Sequence, residues 1–254
     1  MKSVLRTSLL FLAALGFLNN STARTESHDK LAHLPHLILW AWEMPERLDF
    51  IDPRQVAVAY LDQTVYAGKS VRARPRLQPM RVPLGTQVVA VVRIEMPAAA
   101  PASPEARAEV VAQLLRSARR PGVTGLQVDF DATKSQQPFY GELLKQLRRE
   151  MPPAMPLSVT ALASWCAYDR WLAPLPIDEA VPMLFRMGRE QSLFRPRDGG
   201  LLVLEPLCSG SRGISTDEAW PKDLRGKHVY VFNPRPWTQE SVACVIKQLE
   251  QSKQ

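Results

Sequence analysis

Short apolar runs alternate with amphipathic segments along most of the chain. Leu37 to Trp42, Val56 to Leu61, Gln87 to Ile94, Val123 to Asp131, Pro156 to Ala163, Glu179 to Met187 and Lys227 to Phe232 each read as a strand. They are short, rich in β-branched and aromatic residues, and bounded by turn-forming residues. Gly200 to Leu207 is a weaker strand pattern. Between them, Pro104 to Arg119, Phe139 to Glu150 and Gln239 to Gln251 carry helical periodicity, and Asp169 to Ala173 reads as a short helix. Ser103 followed by Pro104 is a cap residue with proline at the first helical position. The basic stretch between Asp62 and Gly85 reads as a β-hairpin insertion. Strands alternating with helices imply a parallel sheet. About eight strands fit an α/β fold of the (β/α)8, TIM-type barrel class, irregular or incomplete in places; the competing arrangement is an open doubly wound sheet.

The N-terminus follows a different pattern. Lys2 and Arg6 precede an apolar run from Ser8 to Leu18, and Ser21-Thr22-Ala23 closes it with small residues. This is the layout of a secretory signal peptide over residues 1–23. The run is too short for a membrane-spanning helix, which needs about 20 apolar residues. Residues 24–36 then form an N-terminal extension and 37–254 the barrel domain. The expected location is exported, periplasmic or secreted, with no stable membrane span after signal cleavage.

Charge and cysteines add two constraints. The net charge is +7, but the basic residues are dispersed and export disfavours a nucleic-acid partner. In the densest cluster, Arg72, Arg74, Arg76 and Arg81, three alternate like a solvated strand face. Export permits a disulfide. Cys166 and Cys208 lie in loop-like stretches and are expected to pair, whereas Cys244 lies in a helical pattern and is expected to be a buried or half-buried thiol. No cysteine or histidine spacing points to a metal, and no glycine-rich phosphate loop points to a nucleotide cofactor.

Candidate chemistry collects at strand ends, where Glu43, Asp62, Arg93, Glu95, Asp129, Asp131, Ser164, Arg186 and Asn233 fall. In a β/α barrel the C-terminal strand ends form the active face. Gly125-Leu-Gln-Val-Asp-Phe-Asp131 is the most informative stretch. Leu126, Val128 and Phe130 would face the helices, and Gln127, Asp129 and Asp131 the barrel interior, because side chains alternate along a strand. Two neighbouring carboxylates raise one another's pKa, which is a route to a general acid. Arg186, inside an apolar strand, needs a partner, and Asp129 or Asp131 is expected to supply it. Trp42, Trp165 and Trp237 are candidate platforms for sugar rings, while Trp171 and Trp220 read as packing residues.

Four motifs resemble an uncharacterised bacterial family of exported proteins, a domain of unknown function. They are Leu-Trp-Ala-Trp-Glu near residue 40, Gln-Val-Asp-Phe-Asp at 127–131, Thr-Ala-Leu-Ala-Ser-Trp at 160–165 and Pro-Met-Leu-Phe-Arg-Met-Gly at 182–188. More distantly, the chain resembles chitinase-type glycoside hydrolases, whose fourth strand carries Asp-Gly-x-Asp-x-Asp-x-Glu. On that pattern Thr124 and Gln127 replace the first two acids, Asp129 matches the third, and Asp131 takes the place of the catalytic Glu. Phe185 and Arg186 stand where those enzymes have Tyr and Asp.

The reading that follows is a carbohydrate-directed barrel acting as a glycoside hydrolase. Asp131 is the acid, Asp129 its electrostatic partner, and Arg186 a binder of an acidic substrate group or a modulator of Asp131. Glu43, Trp42, Asp62, Arg93, Trp165, Phe185, Asn233 and Trp237 are the expected substrate contacts, with no cofactor. The alternatives are a non-catalytic carbohydrate- or envelope-binding barrel and a structural partner in an envelope assembly.

Overall fold

The computed structural model describes residues 30–98, 103–188, 203–222, 224 and 227–252. The expected signal segment, 1–23, and residues 24–29 of the expected extension lie outside the described residues. In chain order the strands are β1 (Leu37–Ala41), β2 (Glu46–Arg47), β3 (Val56–Ala67), β4 (Val71–Pro75), β5 (Met80–Arg81) and β6 (Val88–Glu95). They continue with β7 (Val123–Asp129), β8 (Leu157–Leu162), β9 (Glu179–Met183), β10 (Ser211–Ser215) and β11 (His228–Phe232). The helices are α1 (Pro104–Ala118), α2 (Gln137–Glu150), the short α3 (Ala163–Ala167) and α4 (Gln239–Gln251), with a 3-10 turn at Pro206–Cys208.

Strands β1, β3, β6, β7, β8, β9, β10 and β11 pair in parallel in that order, and β1 pairs with both β3 and β11, closing the ring. Leu37 is the seam, opposite Val56 on one side and Val229 on the other. Alternation fixes the two faces. Ala90, Val92, Ile94, Leu126, Val128 and Phe130 point outward into one core with Val110, Leu114, Leu143 and Leu147 of α1 and α2. Leu39, Val58, Ile214 and Val231 point outward on the far side, against Val242 and Val245 of α4. Ile38, Trp40, Ala57, Ala59, Val89, Val91, Val181 and Tyr230 fill the barrel itself. Leu31 and Leu34, in the extension, join that interior cluster. Local signals agree with the packing: Ser103 Oγ accepts from the Ala106 amide at the start of α1, and Thr238 and Ser241 form a reciprocal cap on α4.

The barrel is irregular in how its strands are joined. The β3–β6 connection carries the antiparallel hairpin partner β4 and then β5, which pairs with β2 of the β1–β3 connection, instead of a helix. The expected hairpin is therefore present, and it begins by extending β3 to Ala67, past Asp62. Arg72, Arg74 and Arg81 are exposed, as a solvated strand face requires. Arg76 instead turns inward and donates to the carbonyls of Ala41, Trp42 and Met44, clasping the chain as it leaves β1.

Several expected boundaries move. The fourth barrel strand ends at Asp129, not Asp131, because its last ladder partner is Arg93; a tight turn, Ala132 amide to Phe130 carbonyl, follows. The sixth ends at Met183, after which Arg186 adopts a left-handed backbone with φ 55°. The short helix is Ala163–Ala167 rather than Asp169–Ala173, held by burial of Trp165 and Cys166. The seventh strand is Ser211–Ser215, not Gly200–Leu207; of that span, 200–202 lie outside the described residues and the rest is loop and 3-10 turn. Its weak signature has a cause: a Cβ on Gly213 would stand 2.9 Å from the Trp40 ring, so the inward positions must be small. Cys166 and Cys208 are bridged, with Cα atoms 5.8 Å apart. Cys244 is exposed, not buried, because the inward stripe of α4 is Val242, Val245 and Leu249 and Cys244 falls outside it. Among the described residues no helix is long and apolar enough to cross a membrane.

Candidate functional site

The lower half of the barrel interior is a closed polar network. Trp40 Nε1 donates to Gln127 Oε1 at 2.8 Å, and Gln127 Nε2 donates to Ser158 Oγ at 3.0 Å. Ser158 and Tyr230 donate to Glu179 Oε2 at 3.2 and 2.8 Å, and His228 Nδ1 lies 3.2 Å from Glu179 Oε1. Each buried polar group here has a partner, which is what keeps a polar interior affordable.

Two residues further up β7 the pattern opens. Asp129 is only 7% exposed, and Thr160 Oγ1 donates to its Oδ1 at 2.6 Å. Burial pushes its carboxyl up to about 6, from an ordinary 3.8; the Thr160 hydrogen bond and Arg93 oppose the rise, and Asp131 and Glu95 add to it. Asp131, at the exposed rim, is also raised, first by lost hydration on its protein side and then by Glu95, against Arg93. The cation that faces both aspartates is Arg93, directly across the ladder from Asp129 and bonded to Glu95 at 2.6 Å.

Arg186 does not take the expected place beside the aspartates. Its guanidinium lies 5.0 Å over the Phe232 ring, and its Nη2 is 3.9 Å from Asp217 Oδ2. The left-handed turn after β9 carries it around the rim toward β10 and β11. Arg93, expected as a substrate contact, takes the place beside the aspartates, and Asp217, which pairs with Arg186, lies just beyond β10.

Among the expected contacts, the fold gathers Trp42, Phe185, Arg93, Asp129 and Asp131 at the C-terminal end. Trp42 and Phe185 are half-buried, packed on the interior cluster with Met183 and Phe232. Phe185 stacks flat on Phe232, centroids 5.7 Å apart and planes 2° apart, and its ring centre is 6.2 Å from that of Trp40. Phe232 was not anticipated, although it is the last inward residue of β11 and period-2 alternation marks it.

The remaining expected contacts stand elsewhere. Asp62 is inside β3, where a bulge between Leu61 and Gln63 turns it toward α1; it accepts from Ser117 Oγ at 2.6 Å and pairs with Arg120 at 2.7 Å. Trp165 is buried in the outer layer, edge-on to Trp171 with centroids 4.9 Å apart. Trp237 is buried on α4's side, donating its Nε1 to the Trp40 carbonyl at 2.9 Å and its amide to Glu46. Asn233 braces the turn after β11 through Thr216 and the Arg235 carbonyl. Glu43 is exposed and paired with Arg74 of β4. Each of these residues lies at or near an expected strand end in sequence, and the packing around it sets which face it presents. A separate concavity of about 650 Å³ opens at the opposite, N-terminal end, lined among others by His33, Asp52, Arg54, Leu84 and Gln87. It lies away from the carboxylates and the aromatic wall.

No protein of curated function matches the chain. Solved structures similar to it include the Bacillus cereus spore cortex-lytic enzyme SleL, at 14% identity and a TM-score of 0.40, over 59% of this chain and 41% of that one. Another is the chitinase domain of the spore coat protein CotE from Clostridium difficile, at 13% identity and a TM-score of 0.40, over 86% of this chain and 61% of that one. The chain thus spans less than two thirds of the length of either. The fold assignment rests on the closed eight-strand ring itself. Residues 84–186, the stretch from just before β6 to Arg186 that carries Arg93, Asp129 and Asp131, match the family model described as Domain of unknown function (DUF3142).

Proposed function

We propose that the protein is an exported, carbohydrate-directed barrel that binds a polysaccharide across its C-terminal mouth and hydrolyses a glycosidic bond there. The observation that carries this reading is one juxtaposition: a half-buried aromatic wall of Trp42, Phe185 and Phe232 shares the mouth with two acids, Asp129 and Asp131, whose carboxyls burial raises above the ordinary range. Aromatic faces bury the C–H surface of sugar rings, and a carboxyl that holds its proton near neutral pH can protonate a leaving oxygen. Asp131, at the exposed rim, is the group that reaches the substrate. Asp129 behind it is the electrostatic partner, and the charge on Asp131 adds to the rise at Asp129. The Cys166–Cys208 disulfide fits an oxidising compartment, as export requires.

One observation favours a binding-only barrel instead. Arg93 faces both aspartates and opposes the rise of their pKa values, which works against a general acid. Reducing-end release from a polysaccharide panel separates the two readings. Hydrolysis lost in Asp131→Asn supports catalysis; binding without release, weakened in Trp42→Ala, supports the binding barrel. Absence of both would refute a carbohydrate role.

A further inference from the structure

The mouth already holds a cation on an aromatic face. The Arg186 guanidinium carbon is 5.0 Å from the centre of the Phe232 ring, and Nη2 is 3.9 Å from Asp217 Oδ2. The platform under it is fixed, because Phe232 is stacked flat against Phe185. The carboxylate beside it is fixed too. Ser215 Oγ donates to Asp217, which holds that carboxyl below the ordinary range and therefore ionised. Glu218 adds a second acid to this corner, accepting the Arg186 backbone amide at 2.8 Å.

Arg186 is a loose occupant of this corner. Its side chain is 58% exposed and Asp217's is 46%, and their contact lies near the outer limit for an ion pair. Its backbone is held at φ 55°, a region that residues other than glycine adopt at a cost. Around the rest of the mouth, Glu95, Asp129 and Asp131 face Arg93. Among the described residues, the groups that face Arg93 and Arg186 are five acids, Glu95, Asp129, Asp131, Asp217 and Glu218. A cleft with one sign of charge concentrates ligands of the opposite sign.

We propose that the corner formed by Phe232, Asp217 and Glu218 is a subsite for a protonated amine of the glycan, with Arg186 as the internal cation that the amine displaces. The substrate class is then a polysaccharide of hexosamines that carry free amino groups. This rests on the carbohydrate reading above and deepens it. An ammonium placed over the Phe232 face gains the same ring attraction and the same carboxylate that Arg186 now uses. It also frees the Arg186 side chain to solvent.

The test is isothermal titration of the full chain with three hexamers: glucosamine with free amines, N-acetylglucosamine, and a uronate. The free-amine hexamer should bind most tightly, and its advantage should shrink as salt is raised. Arg186→Gly removes the internal cation and suits the left-handed backbone, so it should tighten binding of the free-amine hexamer by roughly two- to tenfold. Asp217→Asn should weaken it by a similar factor. Tightest binding of the acetylated or uronate hexamer, or unchanged or weaker free-amine binding by Arg186→Gly, would overturn the amine subsite and leave the carbohydrate reading standing. Failure to bind any of the three would overturn both.

Discussion

Gln127 and Asp129 sit two residues apart on the same face of one strand, yet they belong to different kinds of structure. Gln127 is held on both sides, by Trp40 and by Ser158, within a network that ends on Glu179, Tyr230 and His228. Asp129 has one hydrogen-bond donor, Thr160, an arginine across the ladder and a second acid above it. The floor is polar but closed, so its polarity stabilises and orients the barrel. The mouth is polar and left open, so its carboxyls carry raised pKa values that folding alone does not call for. Polar residues inside a barrel are informative only once their partners are known.

The largest way to break this comparison is at the floor. Glu179→Ala should leave Tyr230, Ser158 and His228 without their common acceptor and cost roughly 3–5 kcal/mol, the scale for removing one side of a buried charged cluster. Glu179→Gln, which keeps an acceptor, should cost less. Denaturant unfolding of both variants checks this. Equal, small losses would mean the floor is not a stabilising network.

Next is the rim. The Cys166–Cys208 bridge closes a sequence separation of 42 and ties α3 to the turn before β10. Its removal by Cys166→Ser with Cys208→Ser should cost roughly 3–4 kcal/mol in the chain-entropy account. Hydrogen exchange should show the loss of protection concentrated around α3 and the 3-10 turn, not at the floor.

At the mouth the sign reverses. Asp129 binds its proton more tightly folded than unfolded, since its carboxyl rises from 3.8 to about 6. Its stabilising contribution is therefore complete below about pH 4 and is lost as pH rises toward 6. Asp129→Asn, which cannot ionise, should be more stable than the parent at pH 7 by roughly 1–3 kcal/mol, with the gap closing in acid. Thermal melts from pH 4 to 7.5 check it. A destabilised variant at pH 7 would place Asp129 with the floor, as a structural acid. The smallest effect is expected at Asp131→Asn. This rim residue should alter stability by no more than about 0.5 kcal/mol, while glycan hydrolysis is lost.

Much of the fold was legible from local pattern. Alternation within Gly125–Asp131 assigned the inward and outward faces of β7 correctly, because a buried strand must send its apolar side chains to the helices. The cap at Ser103 starts α1 because a hydroxyl satisfies helix amides from within the same segment. The Cys166–Cys208 pairing was legible from context and chemistry.

What only the tertiary structure decided concerns contacts between distant segments. Ser211–Ser215 could not be recognised as a strand because its inward positions are small to make room for Trp40, which is remote in sequence. Trp165 and Trp237 carry the same composition signal as Trp42, but packing against Trp171 and against α4 buries them, and only Trp42 is left at the mouth. Arg186 was recognised as a charge needing a partner, yet one left-handed residue after β9 sends it to Asp217 and Phe232. The sequence by itself determined which residues alternate and cap, since those depend on neighbours along the chain. The closure of the ring determined which charges and rings meet, since that depends on the distance and direction between strands far apart in the chain.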